Sequence, residues 1–467
     1  MKVMKKMKMK MKMKMKMKMR RKTSLTAALI CLLAVVLSAC GGIGGKTAET
    51  PGKAEAPPQG ADKAPAKTAS AEPITLKVWP AVGMTDEEFN LYFSKPIQTK
   101  YPNITLEKMV PAKGNYLQDV IQAGQTPDII YNQANVNALL DLDLPMDLRG
   151  LIKKNNFQTS RIVAELVDNR YNGPSGEVYG LPLNQNEPLL WYNKGLFNKF
   201  GVPFPKDAMT WEEAVDLTRR LTRVDGGVQY YGFFPFHGAA TEWASNFTMP
   251  LVDPKTDKAI ISPHWNDIFT AMMNVFNVPG NKTEKLLGSV QARNEFIADQ
   301  TLAMIVHQYN AMFSSFPVLQ KNNVDFDFAA PPRFAIIQDT KKPNSFNQLV
   351  ITKTTKHPDE AFQVIAASLS DEVQATLAKT GKIPALSNSG VQKQFGTDNA
   401  LLKNKNIQAL FFPGKLPAKE APNPYDPLVT DEIKKAFDKV YSGTDMNTAL
   451  REAVELANQD IAAEKAK

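Results

Sequence analysis

From residue 74 onward the sequence predicts an α/β fold, and three observations carry that reading. Strand and helix patterns alternate over residues 74–131, later amphipathic helices open on capping boxes, and no segment recurs at a fixed period. Alternation of this kind makes a parallel or mixed sheet covered by helices, and the missing period sets aside solenoids and propellers. In order, "ITLKVW" (74–79) reads as a strand, and Thr85-Asp86-Glu87-Glu88 as a capping box opening a helix through Phe89, Tyr92 and Phe93. "ITLEKMV" (104–110) is the next strand, "YLQDVIQAG" a helix closed by Gly124, and "PDIIY" (127–131) a buried strand, giving βαβαβ. Thr210-Trp211-Glu212-Glu213 is a second capping box, with Trp211, Ala214, Val215, Thr218 and Leu221 on one face. "DEAFQVIAASL" (359–369) and "MNTALREAVELANQDIAAEKA" (446–466) have the same helical spacing. The stretch from 74 to 467 is about 394 residues, room for two or three compact units at roughly 100 to 200 residues each.

The N-terminus reads as an export signal. Residues 1–39 hold twelve Lys or Arg and no carboxylate, followed by an apolar run from Leu25 to Leu37. At 13 residues that run falls short of the roughly 20 a spanning helix needs. Its end, Leu37-Ser38-Ala39-Cys40, resembles the lipobox of bacterial lipoproteins, which implies cleavage before Cys40, acylation of its thiol and a lipid anchor in the membrane. An ordinary signal with a chance Cys is the plainer alternative.

The leader also dominates the charge. Of 56 basic residues, the twelve in the leader leave 44 against 47 acidic ones, so a formal net charge of +9 becomes about −3. A global nucleic-acid-binding face is therefore not supported. Cys31 lies in the apolar run, so past Cys40 there is no cysteine for a disulfide or thiol chemistry. Residues 40–73 are Gly, Ala, Pro, Lys, Glu and Thr with almost no large apolar side chain, which suits a flexible tether reaching on the order of 30 Å. "GGIGGKT" within it lacks the first Gly of a phosphate-binding loop, because that position is Cys40.

Enzyme signatures are sparse. His237, His264, His307 and His357 show no metal-ligand spacing, and there is no G-x-S-x-G elbow. No cofactor or metal is expected. A glycosidase needs only two carboxylates brought together in space, with Asp325 and Asp327, or Asp141 and Asp143, as candidate pairs; these are more often solvated turn residues.

"AGQTPDIIY" (123–131), "GEVYGLPLNQNEPLLWYNKGLFNKFGVPFP" (176–205), "MTWEEAVDLTRRLT" (209–222), "TLAMIVHQYN" (301–310) and "KTTKHPDEAFQVIAASLSDEVQATLAKTGKIPA" (353–385) together resemble the extracellular solute-binding proteins, family 1, the carbohydrate receptors of bacterial ABC importers. The resemblance runs in order over most of 74–390 and implies a type II periplasmic-binding-protein fold, with two α/β lobes joined by a hinge and a ligand cleft between them. It places lobe 1 in residues 74–184 and 331–380 and lobe 2 in 185–330 and 381–467. The implied crossings lie near Asn184 to Asn186, Ala330 to Pro332 and Gly381 to Pro384.

A neutral polyhydroxylated ligand calls for flat aromatic faces and for amides or carboxylates that pair with hydroxyls. Trp79 ends the first strand, where open α/β sheets offer their crevice, although a core Trp would sit there equally well. The resemblance adds Asn132, Gln133 and Asn135 after "PDIIY"; a helix N-cap is the rival role for Asn135. In "LNQNEP", Asn184, Gln185, Asn186 and Glu187 interrupt an apolar, strand-like stretch, and such breaks in patterning tend to mark sites. Asn186 falls where several relatives carry a ligand-binding acid. His307, Tyr309 and Asn310 follow "AMIV", where relatives present a stacking aromatic; here Asn310 holds that position and Tyr309 is its neighbour. Trp243 is a third stacking candidate or a core anchor. The implied function is a lipid-anchored monomeric receptor on the extracytoplasmic face of the bacterial cell membrane, with a carbohydrate ligand, membrane permease subunits as partners and no enzymatic activity. The alternatives are a secreted glycan-binding adhesin or a glycosidase.

Overall fold

The structure is a computed structural model that describes residues 72–110, 116–167, 173, 175–235, 239–337, 340, 345–414 and 423–466. The leader, Cys40, nearly all of the 40–73 segment and His237 lie outside the described residues.

Among the described residues the strands are β1 (Ile74–Pro80), β2 (Ile104–Lys108), β3 (Ile129–Gln133), β4 (Leu181–Asn186), β5 (Pro188–Asn193), β6 (Arg223–Asp225), β7 (Val228–Phe234), β8 (Leu302–Gln308), β9 (Phe326–Ala329), β10 (Ser345–Ile351) and β11 (Ile383–Pro384). They form two sheets, ordered β11-β4-β10-β3-β1-β2 and β6-β7-β8-β5-β9. In the first, β1 is parallel to β2 and β3, as the βαβαβ pattern requires, whereas β10 runs antiparallel between β3 and β4. In the second, β7 and β8 are parallel and β5 is antiparallel to both β8 and β9.

Period-two alternation decides which layer each first-sheet side chain joins. Leu76, Val78, Ile129, Tyr131 and Leu349 face a core shared with Phe89, Phe93, Phe362 and Ile365. Trp79, Ile130 and Val350 face the opposite layer, with Val120, Val136 and Leu139. The second sheet is buried in a larger core that includes Trp191, Phe269, Phe276, Phe437 and Leu450. Trp191 is wholly buried among Tyr309, Phe316, Phe326 and Phe328 and donates its Nε1–H to the His307 carbonyl at 3.2 Å.

Both capping boxes form. Thr85 Oγ1 accepts the Glu88 N–H at 3.1 Å while Glu88 Oε2 accepts the Thr85 N–H at 2.9 Å, and Thr210 and Glu213 repeat the exchange at 3.2 and 2.8 Å. The helix behind Thr85 passes through a π-helical turn at Asn90–Ser94 before ending in Lys95–Lys100.

The chain leaves the first sheet at Asn186 and enters the second at Pro188, with Glu187 alone between the strands. It returns between Ala329 and Ser345. β11 pairs with β4 through Ile383 and Gln185, Ala385 and Leu386 join the first core, and Phe395 joins the second. β4 thus extends through Asn186, and β11 pairs within the first sheet while its Ile383 packs into the second core.

Candidate functional site

A cleft of about 1030 Å³ is lined by residues carried on both sheets. On the first-sheet side, β1 ends at Pro80 and the chain turns through Gly83, whose φ of +75° suits a residue without Cβ. Val82, Gly83, Met84 and Thr85 reach the cleft from this turn, followed by Glu88 and Tyr92 from the helix it opens. Glu88 Oε1 accepts a 2.8 Å ion pair from Lys382, and that ammonium sits 5.3 Å from the Phe313 ring centroid on the second-sheet side. The Tyr92 and Thr380 hydroxyls meet at 2.7 Å, and the Tyr309 hydroxyl donates to the Gly381 carbonyl at 2.7 Å. Thr380 to Lys382 thus touch both halves of the molecule.

The floor is a chain of neutral polar groups. Asn347 Nδ2 donates to the Tyr131 hydroxyl at 3.0 Å, which donates to Asn184 Oδ1 at 2.7 Å. Burial pushes the Tyr131 phenol well up from its ordinary value, so it stays a neutral donor and acceptor. Asn186 Oδ1 accepts the Asn310 backbone N–H at 3.0 Å, and the Tyr309 N–H donates to the Glu187 carbonyl at 2.8 Å.

The opposite wall comes from the end of β8 and the turns beyond it: His307, Gln308, Asn310, Phe313 and Phe316, with Arg293 from the helix Ser289–Ile297. Burial pushes the His307 imidazole down to about 4, and the Arg293 charge acts in the same direction. Its Nε2 lies 3.1 Å from the Ser289 hydroxyl. Asn310 Oδ1 and Gln308 Oε1 are buried atoms with no hydrogen-bond partner among the described residues. In a cleft, such acceptors are completed by water or by the hydroxyls of a ligand.

Of the residues the sequence singles out, Gln133, Asn186, His307 and Asn310 line this cleft. Asn184 and Gln185 are buried supports; Gln185 Nε2 holds the Pro384 carbonyl at 2.7 Å. Trp79 is a correction. It is 3% exposed in the layer opposite Tyr131, because its place in β1 points it away from the cleft. Alternation sends Asn132 to that same side, where its Nδ2 donates to the Asn135 carbonyl at 3.1 Å; Asn135 Oδ1 in turn accepts the Asn137 N–H at 2.9 Å, a local turn. Tyr309 is fully buried and stacks on Trp191 at 5.9 Å, so it belongs to the core. Trp243 packs edge-on against Trp211 at 4.9 Å and, with Glu187, borders a separate cavity of about 90 Å³ that shares His307 and Gln308 with the cleft.

Sequence reading missed Glu88, Tyr92, Arg293, Phe313 and Lys382. Phe313 had a signal: one helical turn past Asn310, it presents the aromatic that Asn310 does not. Neither candidate glycosidase pair lines the cleft. Asp143 pairs with Lys353, and Asp327 Oδ1 accepts the Phe328 and Asn406 N–H groups, both at 2.9 Å. Among the described residues no group of three His, Cys, Asp or Glu is placed to hold a metal ion, and no helix is long and apolar enough to cross a membrane.

Residues 85–375 match the family model described as bacterial extracellular solute-binding protein. The sn-glycerol-3-phosphate-binding periplasmic protein of Salmonella paratyphi A is 33% identical over 66 residues, 14% of this chain and 15% of that protein. The chain therefore aligns with only a small part of that curated relative's length. Among solved structures, an ABC substrate-binding protein of Listeria monocytogenes in complex with cycloalternan superposes with a TM-score of 0.65 at 18% identity, covering 84% of this chain and 100% of that one. A solute-binding protein of Thermotoga lettingae bound with α-D-tagatose gives 0.63 at 22% identity, covering 83% and 99%. The fold common to these structures is that of the periplasmic binding proteins.

Proposed function

The chain belongs to the bacterial extracellular solute-binding proteins, and from that premise we propose that it captures a carbohydrate for an ABC importer and delivers it to the membrane permease. The observation that carries the reading is the cleft itself, with a neutral amide and phenol floor, uncommitted buried acceptors and a half-buried aromatic, Phe313, on one wall. Hydroxyl-rich ligands suit that wall, because each buried amide left without its hydroxyl costs affinity. The Listeria and Thermotoga structures, which hold cycloalternan and tagatose, support the class.

In this reading the two sheets with their helices are lobes that close on the sugar, the ligand shifting the population toward a closed state. The passages at Asn186 to Pro188, between Ala329 and Ser345, and after Leu386 take up the backbone change. Cys40 carries the lipid that keeps the monomeric receptor at the extracytoplasmic membrane face beside its permease. The protein binds without chemistry.

A thermal-shift screen against mono- and oligosaccharides and polyols tests the ligand class, since binding raises apparent stability by mass action. At least one such compound shifts the transition upward with calorimetric saturation. A screen in which only peptides or metal ions bind removes the carbohydrate assignment.

A further inference from the structure

The cleft holds two cations among its described lining residues, and they are not equivalent. Lys382 is neutralised by Glu88 at 2.8 Å. Arg293 has no carboxylate partner among the described residues; its one hydrogen bond is a long 3.5 Å contact from a guanidinium N–H to the Ala311 carbonyl. It is half-buried, so the charge is partly withdrawn from water. Its position is set by the helix Ser289–Ile297: four residues after Ser289, it shares the face whose Ser289 hydroxyl meets His307. A guanidinium offers five N–H donors in a planar fork and accepts nothing, geometry that matches the oxygens of a carboxylate or phosphate. Lining the same cleft, Gln308 Oε1 and Asn310 Oδ1 have no hydrogen-bond partner among the described residues, and donors for them can come from hydroxyls but not from an ionised acidic group.

From this juxtaposition we infer that the ligand is a hydroxylated compound bearing an acidic group, phosphate or carboxylate, held by Arg293 while its hydroxyls satisfy Gln308 and Asn310. The inference rests on the carbohydrate reading above and narrows it. Glu87 and Asp398, the other acids lining the cleft, are exposed, and among the described residues neither forms an ion pair with Arg293.

Calorimetry on the protein with matched pairs tests it: glucose against glucose 6-phosphate and glucuronic acid, glycerol against glycerol 3-phosphate and glyceric acid, with inorganic phosphate as control. An acidic member binds at least roughly tenfold more tightly than its neutral parent, the scale of a charge-assisted hydrogen bond. The phosphate and carboxylate arms show which acid is preferred. Arg293→Gln removes the preference by weakening the acidic ligand much more than its neutral parent, and Arg293→Lys keeps part of it. Neutral sugars that bind as well as their acidic partners overturn the inference and leave the carbohydrate reading standing. Equal weakening of neutral and acidic ligands by Arg293→Gln also overturns it, because Arg293 then acts on lobe closure. If none of these compounds binds while a neutral sugar from the thermal-shift screen does, this inference fails and the carbohydrate reading stands; if that screen also yields no sugar or polyol, both fail.

Discussion

The Asn186 side-chain carbonyl accepts the backbone N–H of Asn310 at 3.0 Å, joining the last residue of a first-sheet strand to the turn that carries the opposite cleft wall. Asn186 is 7% exposed and Asn310 half-buried, so removing this acceptor takes from the Asn310 N–H its partner across the two sheets. Asn186→Ala is expected to destabilise the protein by about 1–3 kcal/mol, read as a lower urea midpoint. Asn186→Asp keeps an acceptor there and retains most of the stability; an alanine variant as stable as the parent would show that the contact does not matter.

The Lys382–Glu88 pair predicts non-additive behaviour. Both side chains are mostly buried, at 9% and 18% exposure, so removing one partner strands the other charge. Lys382→Met alone is expected to cost roughly 2–4 kcal/mol. Adding Glu88→Gln recovers part of that loss, because the stranded carboxylate is gone while an acceptor for the Thr85 N–H remains. Additive losses in a double-mutant cycle, measured by chemical unfolding, would mean that the two groups do not couple.

How much of this was legible in sequence depends on the range over which each signal acts. Capping boxes at Thr85 and Thr210 are written within four residues and form as read. The polar run "LNQNEP" was legible as a break in apolar patterning, and it supplies both the cleft floor and the first passage between sheets. Trp79 and Tyr309 misled because an aromatic at a strand end does not state which face it takes; alternation and packing across the sheet decide that. Glu88, Arg293 and Lys382 were silent for a different reason. Glu88 and Lys382 lie 294 residues apart in the sequence, and only the fold makes them a pair.

Acid should expose the cost of keeping His307 neutral. Its imidazole titrates near 4 in the folded protein against an ordinary 6.5, chiefly through burial. The unfolded chain therefore binds the extra proton first, so stability is full above about pH 6.5 and falls as the pH drops from 6.5 toward 4. The shift corresponds to a loss of up to about 3 kcal/mol at about 1.4 kcal/mol per pH unit. His307→Gln, which keeps a polar partner for Ser289 without a titrating ring, should flatten the slope between pH 6.5 and 4. A variant with the same slope as the parent assigns the acid sensitivity to other groups.

Phe313 and Trp79 separate recognition from packing. Phe313 is half-buried on the cleft wall, with Lys382 near its ring, whereas Trp79 packs in one cluster with Ile130, Val136 and Val350 in the layer facing away. If the ligand is the proposed carbohydrate, an aromatic contact of the kind Phe313 can offer contributes about 0.5–1.5 kcal/mol, so Phe313→Ala should weaken binding by roughly 2- to 12-fold while costing less stability than Trp79→Ala, since Phe313 is only half-buried. Trp79→Ala should do the reverse, removing about 3–5 kcal/mol of stability while the folded fraction binds the sugar as tightly as the parent. Titrating both variants by calorimetry below their unfolding transitions decides the matter. Because Trp79 reaches the ligand only through the sheet it supports, a loss of affinity in Trp79→Ala larger than in Phe313→Ala would place the stacking surface on the wrong side of β1.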